Sequence, residues 1–121
     1  MKREVITTED GSKTLYIKDL DENYHSTHGA LQEANHVFIK NGLKELNSCE
    51  INILELGFGT GLNLLVTIDE LMKNSAIEKI HYYTIEKYPI SADEIKNLNY
   101  PLLFNSEKIA ELYHKAHSAN W

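Results

Sequence analysis

The sequence predicts an α/β fold built on the nucleotide-binding corner of a doubly wound, Rossmann-like parallel sheet, and three observations carry that reading. An apolar run at 51–56 (Ile51, Ile53, Leu54, Leu56) reads as a buried strand. It stops at the glycine turn Gly57-Phe58-Gly59-Thr60-Gly61, and an apolar helical pattern starts at once with Leu62, Leu64, Leu65 and Ile68. A second run, residues 79–86, is rich in aromatic and β-branched residues and closes on an acid, Glu86, before Lys87-Tyr88-Pro89 breaks it.

The remaining elements follow in order. Residues 4–8 and 13–18 flank Asp10-Gly11, a strong turn signal, and suggest a hairpin. Ser26 or Thr27 is placed to cap a helix whose apolar positions Ala30, Leu31, Ala34, Val37 and Phe38 recur at helical spacing, and Asn41-Gly42 ends it. Helix 61–73 should keep Asp69, Glu70 and Lys73 on its wet face. Tyr82 and Tyr83 alternate across the second strand, so one packs in the core and the other faces a helix or solvent. Ser91-Ala92-Asp93-Glu94 is a capping box opening a short helix. A last helix, 106–117, carries Ile109, Leu112, Tyr113 and Ala116 on one face.

Only two strands of the parallel sheet can be read, whereas a doubly wound cofactor domain needs several. The expectation is one domain over residues 1–121 that holds the N-terminal portion of such a fold. Within it, residues 1–48 form a hairpin and helix extension and 49–121 the first part of the cofactor-binding sheet.

Composition narrows the function classes. A net charge of −6 argues against strong nonspecific nucleic-acid binding, which needs clustered Lys and Arg. No apolar stretch approaches the ~20 residues of a membrane span, and no signal-peptide core follows Met1-Lys2-Arg3-Glu4. A single cysteine, Cys49, rules out an internal disulfide, gives no zinc cluster and has no adjacent base to activate it. The expectation is a reduced, cytoplasmic protein without a membrane partner. Glu33-x-x-His36, with His25 and His28 nearby, has the spacing of a di-iron helix, but that architecture needs a second such motif and none is present. No metal is expected.

The spacing of the glycine loop bears on the ligand. Glu55-x-Gly57-x-Gly59-x-Gly61 departs from the dinucleotide fingerprint G-x-G-x-x-G, and no lysine follows as in a Walker loop. A carboxylate at the mouth of the loop repels a pyrophosphate and suits a cationic ligand. S-adenosylmethionine carries an ammonium and a sulfonium and no phosphate, so the loop matches it better than NAD or ATP. Glu86 stands in the slot where an acid ending the second strand accepts hydrogen bonds from ribose hydroxyls.

Three segments resemble the tRNA 5-methylaminomethyl-2-thiouridine methyltransferases of the MnmC/MnmD type. They are Tyr24-His25-Ser26 with Gly29-Ala30-Leu31-x-Glu33-Ala34-x-His36-Val37-Phe38, then Glu55-Leu56-Gly57-Phe58-Gly59-Thr60-Gly61-Leu62-Asn63, then Ile85-Glu86-Lys87-Tyr88-Pro89. The region around Lys115-Ala116-His117 and Trp121 is also similar. The resemblance implies a class I methyltransferase fold that uses S-adenosylmethionine. It implies cofactor binding by Glu55, Gly57, Phe58, Gly59, Thr60, Gly61, Asn63, Glu86 and Lys87, with Tyr24 and Ser26 lining the pocket. The implied reaction is methyl transfer to the primary amine of 5-aminomethyl-2-thiouridine at the tRNA wobble position. Its partner is the anticodon loop, and an oxidase-type domain accompanies some such enzymes. Family members continue through an Asp-x-Phe-x-Pro segment that this sequence lacks, so catalytic residues are expected after Trp121. Two alternatives stand beside this reading: a noncatalytic cofactor-binding fragment, and an NAD-dependent oxidoreductase, disfavoured by the glycine spacing.

Overall fold

The computed structural model describes residues 2–121. Strands β1 (Arg3–Thr7) and β2 (Lys13–Ile17) form the expected hairpin, with Arg3 opposite Ile17 and Thr7 opposite Lys13. Gly11 takes φ +86 in its turn, which favours a residue without a Cβ. A third strand, β3 (Glu22–Asn23), adds to β2. Two residues are too short to show an alternating pattern, so no periodic signal marks this strand.

Helix α1 (Ala30–Ala34) starts differently from the expectation. Its N-cap is Gly29, and neither Ser26 nor Thr27 caps it. The hairpin turn supplies the acceptors instead: Thr8 Oγ1 takes the N–H of Ala30 (3.1 Å), Ser12 Oγ that of Leu31 (2.9 Å) and Asp10 Oδ2 that of Gln32 (2.9 Å). Three orphan donors of a helix start are thus satisfied across the fold rather than along the chain. Asp10 also accepts from the Ser12 N–H and from the Thr8 and Ser12 hydroxyls. Partial burial pushes its carboxyl up, but these hydrogen bonds outweigh it and hold the group below its usual range. Asp10→Ala should lower the unfolding free energy by about 1–2 kcal/mol, read as a shift in urea midpoint, and Asp10→Asn should lose less. An unchanged midpoint in the alanine variant would mean the turn does not hold the helix.

After Ala34 the chain widens into a π-helical run, Asn35–Lys40, instead of continuing as an α-helix. One extra residue per turn rotates the apolar stripe, so Ile39 enters the core while Val37 and Phe38, expected inside, are exposed. A 3₁₀ turn, Leu43–Glu45, leads to the sheet.

The parallel pair consists of β4 (Glu50–Leu56) and β5 (Lys79–Ile85), in register from Glu50 opposite Lys79 to Leu56 opposite Ile85. Helix α2 (Leu62–Lys73) connects them and buries Leu62, Leu65 and Val66. Asp69 and Lys73 pair on its outer side at 2.7 Å, and exposed Cys49 lies just before β4. The run 51–56 was expected to be buried throughout, and it is not. Ile51 is buried, but Leu54 and Leu56 are 70% and 76% exposed, beside exposed Tyr83 and Ile85 on β5. Period-two alternation sends these four to the face opposite Ile51, Ile53, Ile80 and Tyr82, whose neighbours belong to the core or to α2. The structure is therefore mixed α/β with a two-stranded parallel sheet.

Helix α3 (Ala92–Leu98) opens with the expected capping box, Ser91 Oγ on the Glu94 N–H and Glu94 Oε1 on the Ser91 N–H. Glu94 also receives Arg3 of β1 at 2.7 and 2.9 Å, which ties the hairpin to the segment after β5. Helix α4 (Glu107–His117) is capped by Ser106 and buries Ile109 and Tyr113. Tyr100, wholly buried, donates to the Lys13 carbonyl at 2.6 Å and ties the segment after α3 to β2. Among the described residues no helix is long and apolar enough to cross a membrane.

Candidate functional site

The glycine loop leaves β4 at its C-terminal end and is pinned first by its own sheet. The N–H groups of Gly57 and Phe58 both donate to the Ile85 carbonyl, at 2.9 and 3.1 Å. Gly57, Gly59 and Gly61 all take positive φ, at +89, +57 and +79. Their surroundings differ. A Cβ at Gly57 would meet nothing within 4 Å, one at Gly59 would lie 3.2 Å from the Tyr24 ring, and one at Gly61 would lie within 3.0 Å of Phe58, His117 and Tyr113. The loop is thus open at Gly57 and closed from below at Gly61.

Two acids meet this loop. Just past β5, Glu86 takes the Gly59 N–H on Oε2 at 2.7 Å and the Tyr88 N–H on Oε1 at 2.9 Å. On β4, Glu55 accepts from Asn63 Nδ2 (3.0 Å) and the Thr84 hydroxyl (2.9 Å). Burial pushes the Glu55 carboxyl up, and the nearby Glu86 charge adds to that. Hydrogen bonds from Asn63, Thr84 and Tyr82 pull it back only in part. Asn63 Oδ1 is buried without a partner among the described residues.

Of the other predicted site residues, Phe58 and Thr60 turn their side chains inward, at 4% and 1% exposure. They hold the loop rather than line its mouth. Tyr24 packs against Gly59, while its hydroxyl accepts from Arg3 Nη1 at 3.2 Å. Ser26 works on the α1 side: its hydroxyl takes the His28 N–H, and its own N–H goes to Glu33, both at 3.2 Å. Lys87 is exposed, its Nζ 5.3 Å from the Tyr88 ring centroid. A cavity of about 530 Å³ lies between α3 and α4 and reaches the loop only through His117, one of its lining residues.

Sequence reasoning missed the residues beneath the loop. His25 Nε2 lies 2.8 Å from Thr60 Oγ1, and Tyr113 Oη and His117 Nε2 lie 2.9 and 3.1 Å from the Thr60 carbonyl. In the sequence, His25 and His117 stand within segments of family resemblance and Tyr113 on the apolar face of the last helix, and nothing there marks a contact with the glycine loop. Glu33 and His36 are not joined in a metal site, since Glu33 faces His25 and Ser26 while His36 meets Asn41.

Burial holds both His25 and His117 below the ordinary imidazole range, with Glu33 opposing this at His25 and the Thr60 carbonyl opposing it at His117. The neutral forms are therefore favoured in the folded state. Their contribution is fully present above the unfolded imidazole value of ~6.5 and is lost as pH falls below it, because the unfolded chain takes up protons first. Thermal melts should show a lower midpoint at about pH 5.5 than at about pH 7.5, and the difference should shrink when both histidines are replaced by glutamine. An unchanged difference in that variant would place the acid sensitivity elsewhere.

The strand–glycine loop–helix–strand unit, with an acid from the second strand on the loop, defines an α/β protein of the type seen in a solved relative. That structure, MnmC2 from Aquifex aeolicus, matches with a TM-score of 0.58 at 30% identity, over 84% of this chain and 36% of its own. The tRNA 5-methylaminomethyl-2-thiouridine biosynthesis bifunctional protein MnmC of Leptospira interrogans is 39% identical over 84 residues, 64% of this chain. Its namesake in Burkholderia mallei is 42% identical over 77 residues, 60% of this chain. The chain spans 13% and 12% of the length of these two relatives. No family model matches. The chain is a homologue of the MnmC proteins, and the resemblance read from its motifs is borne out.

Proposed function

We propose that this chain is the S-adenosylmethionine-binding part of a class I, Rossmann-like methyltransferase that modifies the wobble uridine of tRNA. The observation that carries the reading is the Glu86 carboxylate on the Gly59 N–H, 2.7 Å away, at the C-terminal ends of two parallel strands. Ligands of open α/β sheets bind at that end.

The donor set fits the cofactor. Glu55 and Glu86 put two carboxyl groups at the loop and no lysine follows Gly61, which disfavours a pyrophosphate and suits a ligand with cationic groups. Gly57 leaves its side of the loop open for close approach to backbone. Glu86 keeps lone pairs for ribose hydroxyls beside those given to Gly59 and Tyr88. Phe58, Thr60 and Gly61 hold the loop in shape, Asn63 orients Glu55, Tyr24 packs on the loop at Gly59, and Lys87 follows Glu86 as an exposed side chain. When bound, the cofactor supplies an electrophilic methyl group, so the protein has mainly to bind and align.

The relatives are named for tRNA 5-methylaminomethyl-2-thiouridine biosynthesis. The acceptor in this reading is the amine of the unmethylated form, 5-aminomethyl-2-thiouridine, in an anticodon loop, where bases are unstacked and accessible. That amine attacks only when neutral, which calls for an acceptor or a desolvated position at the reaction centre.

A second reading, cofactor binding without transfer, is favoured by the bare sheet face of Leu54, Leu56, Tyr83 and Ile85. Transfer of labelled methyl to undermodified tRNA separates the two. We expect turnover from a form extended through an Asp-x-Phe-x-Pro segment and none from residues 1–121. Comparable turnover by both would show that 1–121 suffices, and none from either would overturn the methyltransferase reading.

A further inference from the structure

The underside of the glycine loop is held by an element 53 and 57 residues away in sequence. The carbonyl of Thr60 accepts two hydrogen bonds from α4, from the Tyr113 hydroxyl at 2.9 Å and from His117 Nε2 at 3.1 Å. A carbonyl oxygen has two lone pairs, so both are used. The bond fixes His117 as the tautomer protonated at Nε2. With its oxygen tied down to α4, the Thr60–Gly61 peptide turns its N–H back to the Phe58 carbonyl, 3.0 Å away. The Phe58 ring is held as well, edge-on to His117 at 5.0 Å and stacked on Trp121 at 4.9 Å between centroids. His25 Nε2 meets the Thr60 hydroxyl at 2.8 Å.

We infer that Tyr113 and His117 are positioning residues that set the ligand-binding shape of the glycine loop through the Thr60 carbonyl. This rests on the reading of the loop as an S-adenosylmethionine site. The loop has one side open to approach, at Gly57, whose N–H is held by the Ile85 carbonyl, and one packed side, at Gly61. The backbone between these two ends meets a ligand at constant geometry only if the Thr60–Gly61 peptide does not rotate. Two donors on one oxygen prevent that rotation. Neither side chain needs to touch the ligand.

The test compares His117→Leu, His117→Gln and Tyr113→Phe in the full 121-residue chain, well below its melting temperature. Leucine removes the donor and keeps the bulk, whereas glutamine restores an N–H near the Nε2 position. Calorimetric affinity for S-adenosylmethionine should fall about tenfold in His117→Leu and in Tyr113→Phe, the scale of a buried acceptor losing one of its donors. It should recover to within about twofold of the parent in His117→Gln. Without ligand, amide hydrogen exchange at Gly59–Leu62 should speed up in the Leu and Phe variants and not in the Gln variant. Parent-like affinity and exchange in Tyr113→Phe combined with His117→Leu would overturn the inference, as would a Gln variant no better than Leu. A parent chain that binds no S-adenosylmethionine would overturn the cofactor reading instead, while the exchange measurement still decides whether the clamp exists.

Discussion

Gly61→Val is expected to be the most damaging single change in the loop, lowering unfolding free energy by about 3 kcal/mol or more. Two costs add. The residue sits at φ +79, a left-handed conformation that a β-branched side chain rarely adopts. Its Cβ would also lie 2.9 Å from Phe58 Cζ and 3.0 Å from both His117 Nε2 and Tyr113 Cε2, and those side chains are fixed by their contacts with Thr60 and with one another. Gly57→Ala provides the internal comparison. Its φ is +89, yet nothing lies within 4 Å of the new Cβ, so only the backbone cost of about 1 kcal/mol remains. Urea denaturation of both variants reads the difference, and equal losses would mean that the packing under Gly61 contributes nothing.

Glu86→Ala should weaken S-adenosylmethionine binding by roughly 1.5–3 kcal/mol, the scale of a hydrogen bond to a charged group. The structure adds a second consequence, because the Gly59 and Tyr88 N–H groups lose their acceptor at the same time. Glu86→Gln separates the two roles. An amide oxygen turned to Gly59 still accepts there but carries no charge, and only the Tyr88 N–H loses its acceptor, so the loop at Gly59 should keep its shape while affinity falls by a smaller amount. Calorimetry measures both variants. Alanine and parent affinities that agree would remove Glu86 from the site.

What could be read in the sequence was what depends on neighbours along the chain. The glycine loop, the acid ending the second strand and the Ser91–Glu94 capping box each occupy a few consecutive residues, and each has a local physical reason to form. The miss at α1 has the opposite character. Ser26 and Thr27 looked like caps by position, but the donors of Ala30, Leu31 and Gln32 are satisfied by Thr8, Ser12 and Asp10 from the hairpin turn. No window of neighbouring residues contains that information. The π-helical run at Asn35–Lys40 is a subtler case, since one added residue shifts an otherwise regular 3.6-residue pattern and sends Val37 and Phe38 outward.

The candidate site divides in the same way. Glycines and acids lie within two short motifs, whereas His25, Tyr113 and His117 come from segments 35 to 57 residues from Thr60. A histidine in a helical stretch carries no mark that its ring will reach a backbone carbonyl in a distant loop. The bare face of the strand at 51–56 is not legible in the sequence for a related reason: an apolar run tells how much surface a strand can bury, not which of its faces is covered.

The Glu55–Gly61 loop with Glu86 is proposed as a site for S-adenosylmethionine and not for a phosphate-bearing dinucleotide. Calorimetric titration of the chain with S-adenosylmethionine and with NAD tests it most directly. The expected result is saturable binding of S-adenosylmethionine, weakened in Glu86→Ala, and weaker or no binding of NAD. Tighter binding of NAD would contradict it.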